Sequence, residues 1–276
     1  PAVPGRELYV AGEKGNLYQI VAHPEGVLDE RLVASLPGQA INILLAGDLV
    51  PSNPGAEVLA FTWPDGLYVL APGKGGRFEV KLKDPTTERV RDALVLPRDG
   101  DGPPEIVTIS RNGHLSLLRF GPNGAEWTVV HEAAMGMGRV SLRRGPGPVV
   151  LYTCADDGRV FRHERRADRS FTSETIYLGP QGARGVAAGR FDPDPSVETV
   201  AVFGYSGRVE LLSRPAGGRW SVSTAFHDRE KGHWLSVAEV DGRNTTDELV
   251  CSGFGGRIVL LSRPPGTGLD VLTAPD

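Results

Sequence analysis

Cysteine is scarce: Cys154 and Cys251 are the only two in 276 residues. They fall at corresponding places in two repeats that are not neighbours. That excludes a disulfide framework and a thiolate metal site, and leaves two small buried hydrophobes at strand ends. No apolar run approaches membrane-spanning length, and the opening Pro1-Ala2-Val3-Pro4 is not a signal peptide. The expectation is a soluble protein, cytoplasmic by slight preference, with no membrane partner; a start on Pro1 leaves upstream residues open. An excess of basic charge is missing too, with 30 Lys and Arg against 34 Asp and Glu. This argues against a nucleic-acid partner, which needs a basic surface, but leaves room for a local cationic pocket. No segment keeps a helical period. The chain has no nucleophile elbow, no phosphate-cradling glycine loop and no dinucleotide fingerprint.

What the chain does have is glycine, 36 residues of it, and a short phrase written six times. The phrase reads Lys14-Gly15-Asn16-Leu17, Asp65-Gly66-Leu67-Tyr68, Asn112-Gly113-His114-Leu115, Asp157-Gly158-Arg159-Val160, Ser206-Gly207-Arg208-Val209 and Gly255-Gly256-Arg257-Ile258. Its glycines are spaced by 51, 47, 45, 49 and 49 residues, a period that marks a repeat architecture. Repeat five shows the unit most clearly. Val186–Phe191, Glu198–Phe203, Arg208–Leu212 and Trp220–Thr224 are four short strands, A to D, separated by Asp-Pro, Tyr-Ser-Gly and Pro-Ala-Gly-Gly turns. Strand B opens on a glutamate and an apolar residue at Glu7-Leu8, Glu57-Val58, Glu105-Ile106 and Glu248-Leu249. Strand D carries a large apolar residue at Phe78, Trp127, Phe171, Trp220 and Leu269.

Four antiparallel strands repeated six times predict an all-β, six-bladed β-propeller occupying residues 1–276 as one domain. The blades run roughly over 1–39, 40–88, 89–136, 137–182, 183–231 and 232–276. Blade one lacks a strand A, and Leu269–Leu272 aligns with strand D of blade six instead of supplying one. Phe203-Gly204-Tyr205-Ser206-Gly207-Arg208-Val209, and Val237–Gly242 followed by Asp247-Glu248-Leu249-Val250, resemble FG-GAP/VCBS-type propeller repeats. That resemblance implies a fold, not an activity, and implies calcium loops between strands A and B. Here those loops are degenerate. Asp99-Gly100-Asp101-Gly102, Asp192-Pro193-Asp194 and Asp241-Gly242-Arg243-Asn244 offer too few carboxylates for calcium and suit plain turns.

In a propeller the D–A and B–C loops share one face, and three sets of residues there are candidates. Aligned strand-A entrances carry Asn42, Arg91, Gly138-Arg139, Arg184 and His233, a partial set of donors at the channel mouth, with Asp92 and Glu132 as balancing carboxylates. Arginine presents a rigid fork suited to carboxylate or phosphate. The D–A loops add His131, and the stretch Ala225–Trp234 gathers His227, Asp228, Glu230, His233 and Trp234. Histidine transfers protons near neutral pH and ligates metals. A divalent metal held by His131, His227 and His233 is the one cofactor these residues could bind. The B–C tips differ in every repeat, Glu13, Pro64, Arg111, Asp156, Tyr205 and Phe254, which favours one asymmetric pocket over six equal sites.

The function expected from this pattern is a small-molecule enzyme, a lyase, isomerase or hydrolase, acting on an anionic or sugar-like substrate. His227, His233 and His131 would be acid and base. Arg91, Arg139, Arg184, Asn42, Asp92, Trp234, Tyr205 and Arg111 would bind the substrate. The alternative is a non-catalytic module that binds glycan or protein.

Overall fold

The computed structural model describes residues 8–23, 26–53, 55–64, 66–85, 88–98, 100, 102–240, 246–262 and 270–272. Glu7, Asp65, Asp99, Asp101, Asp241, Gly242, Arg243, Asn244 and Leu269 of the sequence reading lie outside them. The strands are β1 (Leu8–Ala11), β2 (Asn16–Ala22), β3 (Leu28–Ser35), β4 (Ala40–Gly47), β5 (Glu57–Trp63), β6 (Gly66–Pro72), β7 (Phe78–Asp84) and β8 (Val90–Val95). They continue as β9 (Ile106–Ser110), β10 (His114–Gly121), β11 (Gly124–Glu132), β12 (Met137–Leu142), β13 (Val150–Ala155), β14 (Arg159–Arg165), β15 (Phe171–Leu178) and β16 (Ala183–Ala188). The last are β17 (Glu198–Gly204), β18 (Arg208–Arg214), β19 (Ser221–His227), β20 (Gly232–Ala238), β21 (Glu248–Gly253), β22 (Ile258–Ser262) and β23 (Asp270–Leu272).

Each run of consecutive strands makes one antiparallel sheet. β1–β3 form a three-stranded sheet, and β4–β7, β8–β11, β12–β15, β16–β19 and β20–β23 form four-stranded ones. The fold is a six-bladed β-propeller. Among the described residues the first blade has no strand A, and β23 pairs with β22 as the fourth strand of the last blade.

The chain divides into two compact units. Unit 1 holds residues 1–112 and 116–129, and unit 2 holds 113–115 and 130–276. In unit 1 the core fills the spaces between sheets, with Leu17, Val33, Val58 and Leu70 packed in one layer and Leu59, Phe61, Ile106 and Leu118 in the next. In unit 2 the corresponding layers hold Tyr152, Cys154, Val200 and Leu212, then Phe191, Phe203, Leu249 and Cys251. Strands β5, β9, β13 and β17 are buried almost throughout, which explains their near-continuous apolar sequences. The outermost strands β7, β15 and β19 are largely exposed or half-buried.

The repeated sequence phrases have structural reasons. All six hairpin glycines adopt positive φ, from 71° at Gly15 and Gly207 to 98° at Gly66. At Gly158 a Cβ would also stand 2.8 Å from the carbonyl oxygens of both Gln181 and Gly179. The hairpin tip is pressed under the next D–A loop, and the loop bonds back to it: the N–H groups of Leu36, Ala133, Gly179 and Asp228 donate to the carbonyls of Gly15, Gly113, Gly158 and Gly207. Glycine is required there by conformation and by space.

The glutamate that opens strand B braces the A–B turn. Glu57 accepts from the Leu49 N–H at 2.9 Å and from Asn53 at 2.7 Å, and Glu248 accepts from the Val240 N–H at 2.6 Å. Glu105 is buried against Arg119. In the fifth blade Glu198 accepts from Arg162 Nε at 2.9 Å and Arg214 Nε at 3.2 Å, and from the Tyr152 hydroxyl. Asp192 and Asp194 accept backbone N–H groups two residues ahead, which is turn capping.

Candidate functional site

The first strands of five sheets share one irregularity. Register shifts occur between Ile41 and Ile43, Val90 and Asp92, Met137 and Val140, Ala183 and Gly185, and Gly232 and Trp234. The residues left over are Asn42, Arg91, Gly138-Arg139, Arg184 and His233. These are the aligned strand-A positions of the sequence, and each is a β-bulge. A bulge leaves one residue unpaired and re-aims its side chain, and such bulges recur at functional sites.

Within unit 2 three bulges contribute to one cluster. The Arg139 guanidinium lies 3.8 Å from the centre of the Trp234 ring system, and Trp234 Nε1 donates to Ser236 Oγ at 3.1 Å. Arg139 also donates to the Gly138 carbonyl at 2.6 Å. Arg184 pairs with Asp156 at 2.8 Å, so a B–C tip balances this cation. The His233 ring stands 4.5 Å from Phe254, and Phe254 stands 5.9 Å from Tyr205, over which Lys231 places its ammonium at 5.5 Å. Burial lowers the His233 pKa, and the charges of Arg139 and Arg184 lower it further. Its imidazole is therefore neutral at physiological pH.

The loop before His233 is tied down. Asp228 is buried, accepts from Arg257 at 3.0 Å and from the Glu230 N–H at 3.3 Å, and Glu230 accepts from the Gly255 N–H at 3.0 Å. Both carboxylates brace the β19–β20 loop against the hairpin of the last blade; neither is bonded to an imidazole. His227 ends the outer strand β19, is exposed, and pairs in register with Arg208. His131, near the end of β11, packs at 4.8 Å from Phe161 and 4.9 Å from His163, and burial lowers its pKa. The three histidines thus occupy three environments. Among the described residues, no group of three or more His, Cys, Asp or Glu is placed to hold a metal ion.

In unit 1, Asn42 and Arg91 occupy the bulges of β4 and β8, and Asp92 Oδ1 accepts the Ala93 N–H at 2.9 Å. Arg111 is exposed at the β9–β10 turn, where its N–H bonds the Arg89 carbonyl at 2.9 Å.

Two features escape the sequence reading. His163 is fully buried in β14, held by Thr153 Oγ1 at 2.9 Å and Ser173 Oγ at 2.7 Å, and its pKa falls to about 3 through burial and the charge of His131. The second feature is an apolar rim. At the D–A and B–C end of unit 2, Met135, Leu178, Phe254 and Ile258 are 50%, 62%, 54% and 71% exposed. Large exposed apolar side chains gathered at one end of a domain mark an interaction surface. Phe254 lies at a B–C tip where the other repeats carry Glu13, Pro64, Arg111, Asp156 and Tyr205, so part of the signal was in the sequence; the exposure of Ile258 was not, because the other repeats also carry an apolar or aromatic residue there and bury it.

No family model matches the chain, and no curated protein does. Solved structures do. One is BBS1N in complex with ARL6DN, soaked with lead: 12% identity, TM-score 0.59, covering 96% of this chain and 81% of that one. A second is the same complex soaked with mercury: 15% identity, TM-score 0.59, covering 96% and 77%. At these identities the likeness shows the fold alone; the FG-GAP/VCBS repeat type has no matching family model behind it.

The expected small-molecule partner, anionic or sugar-like, is corrected by these findings. The similar structures are complexes of one protein with another. In unit 2 the expected anion donors are already engaged, Arg139 over Trp234 and Arg184 with Asp156. Among the described residues no helix is long and apolar enough to cross a membrane.

Proposed function

We propose that this chain is a protein-binding propeller module, and that the D–A and B–C end of unit 2 is its docking face. The observation that carries this reading is the exposure of Met135, Leu178, Phe254 and Ile258 at the same end of unit 2 as the Arg139–Trp234 and His233–Phe254–Tyr205 contacts. Aromatic residues, Met and Arg are the types enriched at protein interfaces, and Trp, Tyr and Arg dominate their energetic centres. The face is also pre-organised. Its loops are held by backbone bonds to the hairpin glycines and by the Asp228–Arg257 pair, so docking costs little ordering. The propeller in the similar structures is itself in complex with a second protein, which supports the same reading.

Differential capture from a native extract tests it, with the wild type, the Met135→Asp/Phe254→Asp variant and a Val222→Asp control on the exposed outer strand β19 compared by quantitative mass spectrometry. The expected result is at least one protein held by wild type and control and reduced at least about tenfold on the double variant. Equal retention by all three would overturn the docking face.

A further inference from the structure

The opposite end of unit 2, where strands A run into strands B, holds an open cavity of about 880 Å³. Three turns wall it: Arg143–Pro146 after β12, Gly189–Val197 after β16 and Pro215–Gly218 after β18. Its floor is the Glu198–Arg214 pair. From the carboxylates and cations of this groove, the geometry points to a binding site for an acidic linear segment of a partner protein.

The charge balance comes first. Four arginines, 143, 144, 190 and 214, face two carboxylates, Glu198 and Asp247, along the lining. Both carboxylates are already engaged. Glu198 accepts from Tyr152, Arg162 and Arg214, and Asp247 accepts the Arg190 backbone N–H at 2.6 Å. Arg143 donates to the Pro148 carbonyl at 3.0 Å, a neutral acceptor, and makes no ion pair among the described residues. The guanidinium groups of Arg144 and Arg190 make no ion pair among the described residues, and both residues are exposed. Asp192 and Asp194 of the Gly189–Val197 turn accept the N–H groups of Asp194 and Ser196, so among the described residues the groove still offers arginine forks suited to carboxylates.

The shape comes second. Pro146, Pro195 and Pro215 stiffen the three turns, so the groove exists before anything binds. It is partly open to solvent, so a segment of a partner chain can enter it from the surface. Among the described residues no aromatic side chain lines it, so single-stranded nucleic acid finds nothing there to stack on. This inference takes the chain as a protein-binding module, as above, but places a second contact at the other end of unit 2.

The test is fluorescence anisotropy of a labelled peptide of alternating Glu and Ser against the full chain, at low and high salt. Its Lys and Ser counterpart and a labelled single-stranded oligonucleotide serve as comparisons. The expected result is salt-sensitive binding of the acidic peptide, weaker by about tenfold in Arg144→Glu/Arg190→Glu and unchanged in Met135→Asp/Phe254→Asp. No binding at low salt, equal binding by the Arg144→Glu/Arg190→Glu variant, or tighter binding of the oligonucleotide would overturn it. Loss of the acidic peptide in Met135→Asp/Phe254→Asp would also overturn it, by moving the site to the other end. Because the two variant pairs lie at opposite ends, failure here leaves the docking face standing, and failure there leaves this groove standing.

Discussion

His163 gives the most quantitative test of the packing between blades. Its imidazole is fully buried and bridges Thr153 and Ser173, with the His131 ring tilted against it at 4.9 Å. Burial and the neighbouring His131 charge depress its pKa from 6.5 to about 3. The unfolded chain takes up the proton near pH 6.5, whereas the folded chain resists it. The stability due to neutral His163 is therefore fully present above about pH 6.5 and is lost as pH falls from there toward 3. At about pH 5, some 1.5 pH units into that window, the loss is about 2 kcal/mol, at roughly 1.36 kcal/mol per unit. The perturbation is His163→Gln, which keeps polar contacts to both hydroxyls and cannot titrate. Urea unfolding at about pH 7.5 and pH 5 measures both proteins. The wild type should lose about 2 kcal/mol more than the variant between the two conditions. A difference under about 0.5 kcal/mol would refute the claim that a buried neutral imidazole underlies the acid sensitivity.

Two further predictions concern the frame of the blades. Gly158→Ala should destabilise by about 2 kcal/mol or more, because φ of 89° disfavours a side chain and the Cβ would meet two carbonyl oxygens at 2.8 Å; thermal unfolding with an unchanged midpoint would contradict it. Glu198→Ala should cost about 3 kcal/mol, since it removes the partly buried carboxylate shared by the buried Arg162 and by Arg214 and leaves them only the more exposed Glu164 and Glu174; a loss below about 1 kcal/mol in chemical denaturation would mean that those two satisfy both arginines.

The blades were legible because their signals are local. A hairpin glycine needs positive φ, and that need recurs once per repeat at Gly15, Gly66, Gly113, Gly158, Gly207 and Gly256. Strand B announced itself by its opening glutamate, although the reason, a brace on the A–B turn, appears only once Leu49 and Val240 are seen donating to it. Strand-A alignment found the bulge positions Asn42, Arg91, Arg139, Arg184 and His233 without the bulges themselves, because a bulge is a relation between two strands. What each side chain meets depends on the neighbouring sheet. Arg139 finds Trp234 two sheets away, and His131 finds Phe161 and His163. Asp228 and Glu230, which in sequence look ready to orient an imidazole, serve Arg257 and the Gly255 N–H instead. The buried thiol of Cys251, with its pKa pushed up to about 12 by burial and by Asp228, fits the small-hydrophobe reading of that residue.

The central claim is that the end of unit 2 bearing Phe254 docks another protein. Isothermal titration of the captured partner against wild type, Phe254→Ala and Val222→Ala tests it most directly. The account predicts a heat-capacity change of negative sign, affinity reduced by about tenfold or more in Phe254→Ala, and affinity unchanged in Val222→Ala. Equal affinity for all three proteins would contradict it.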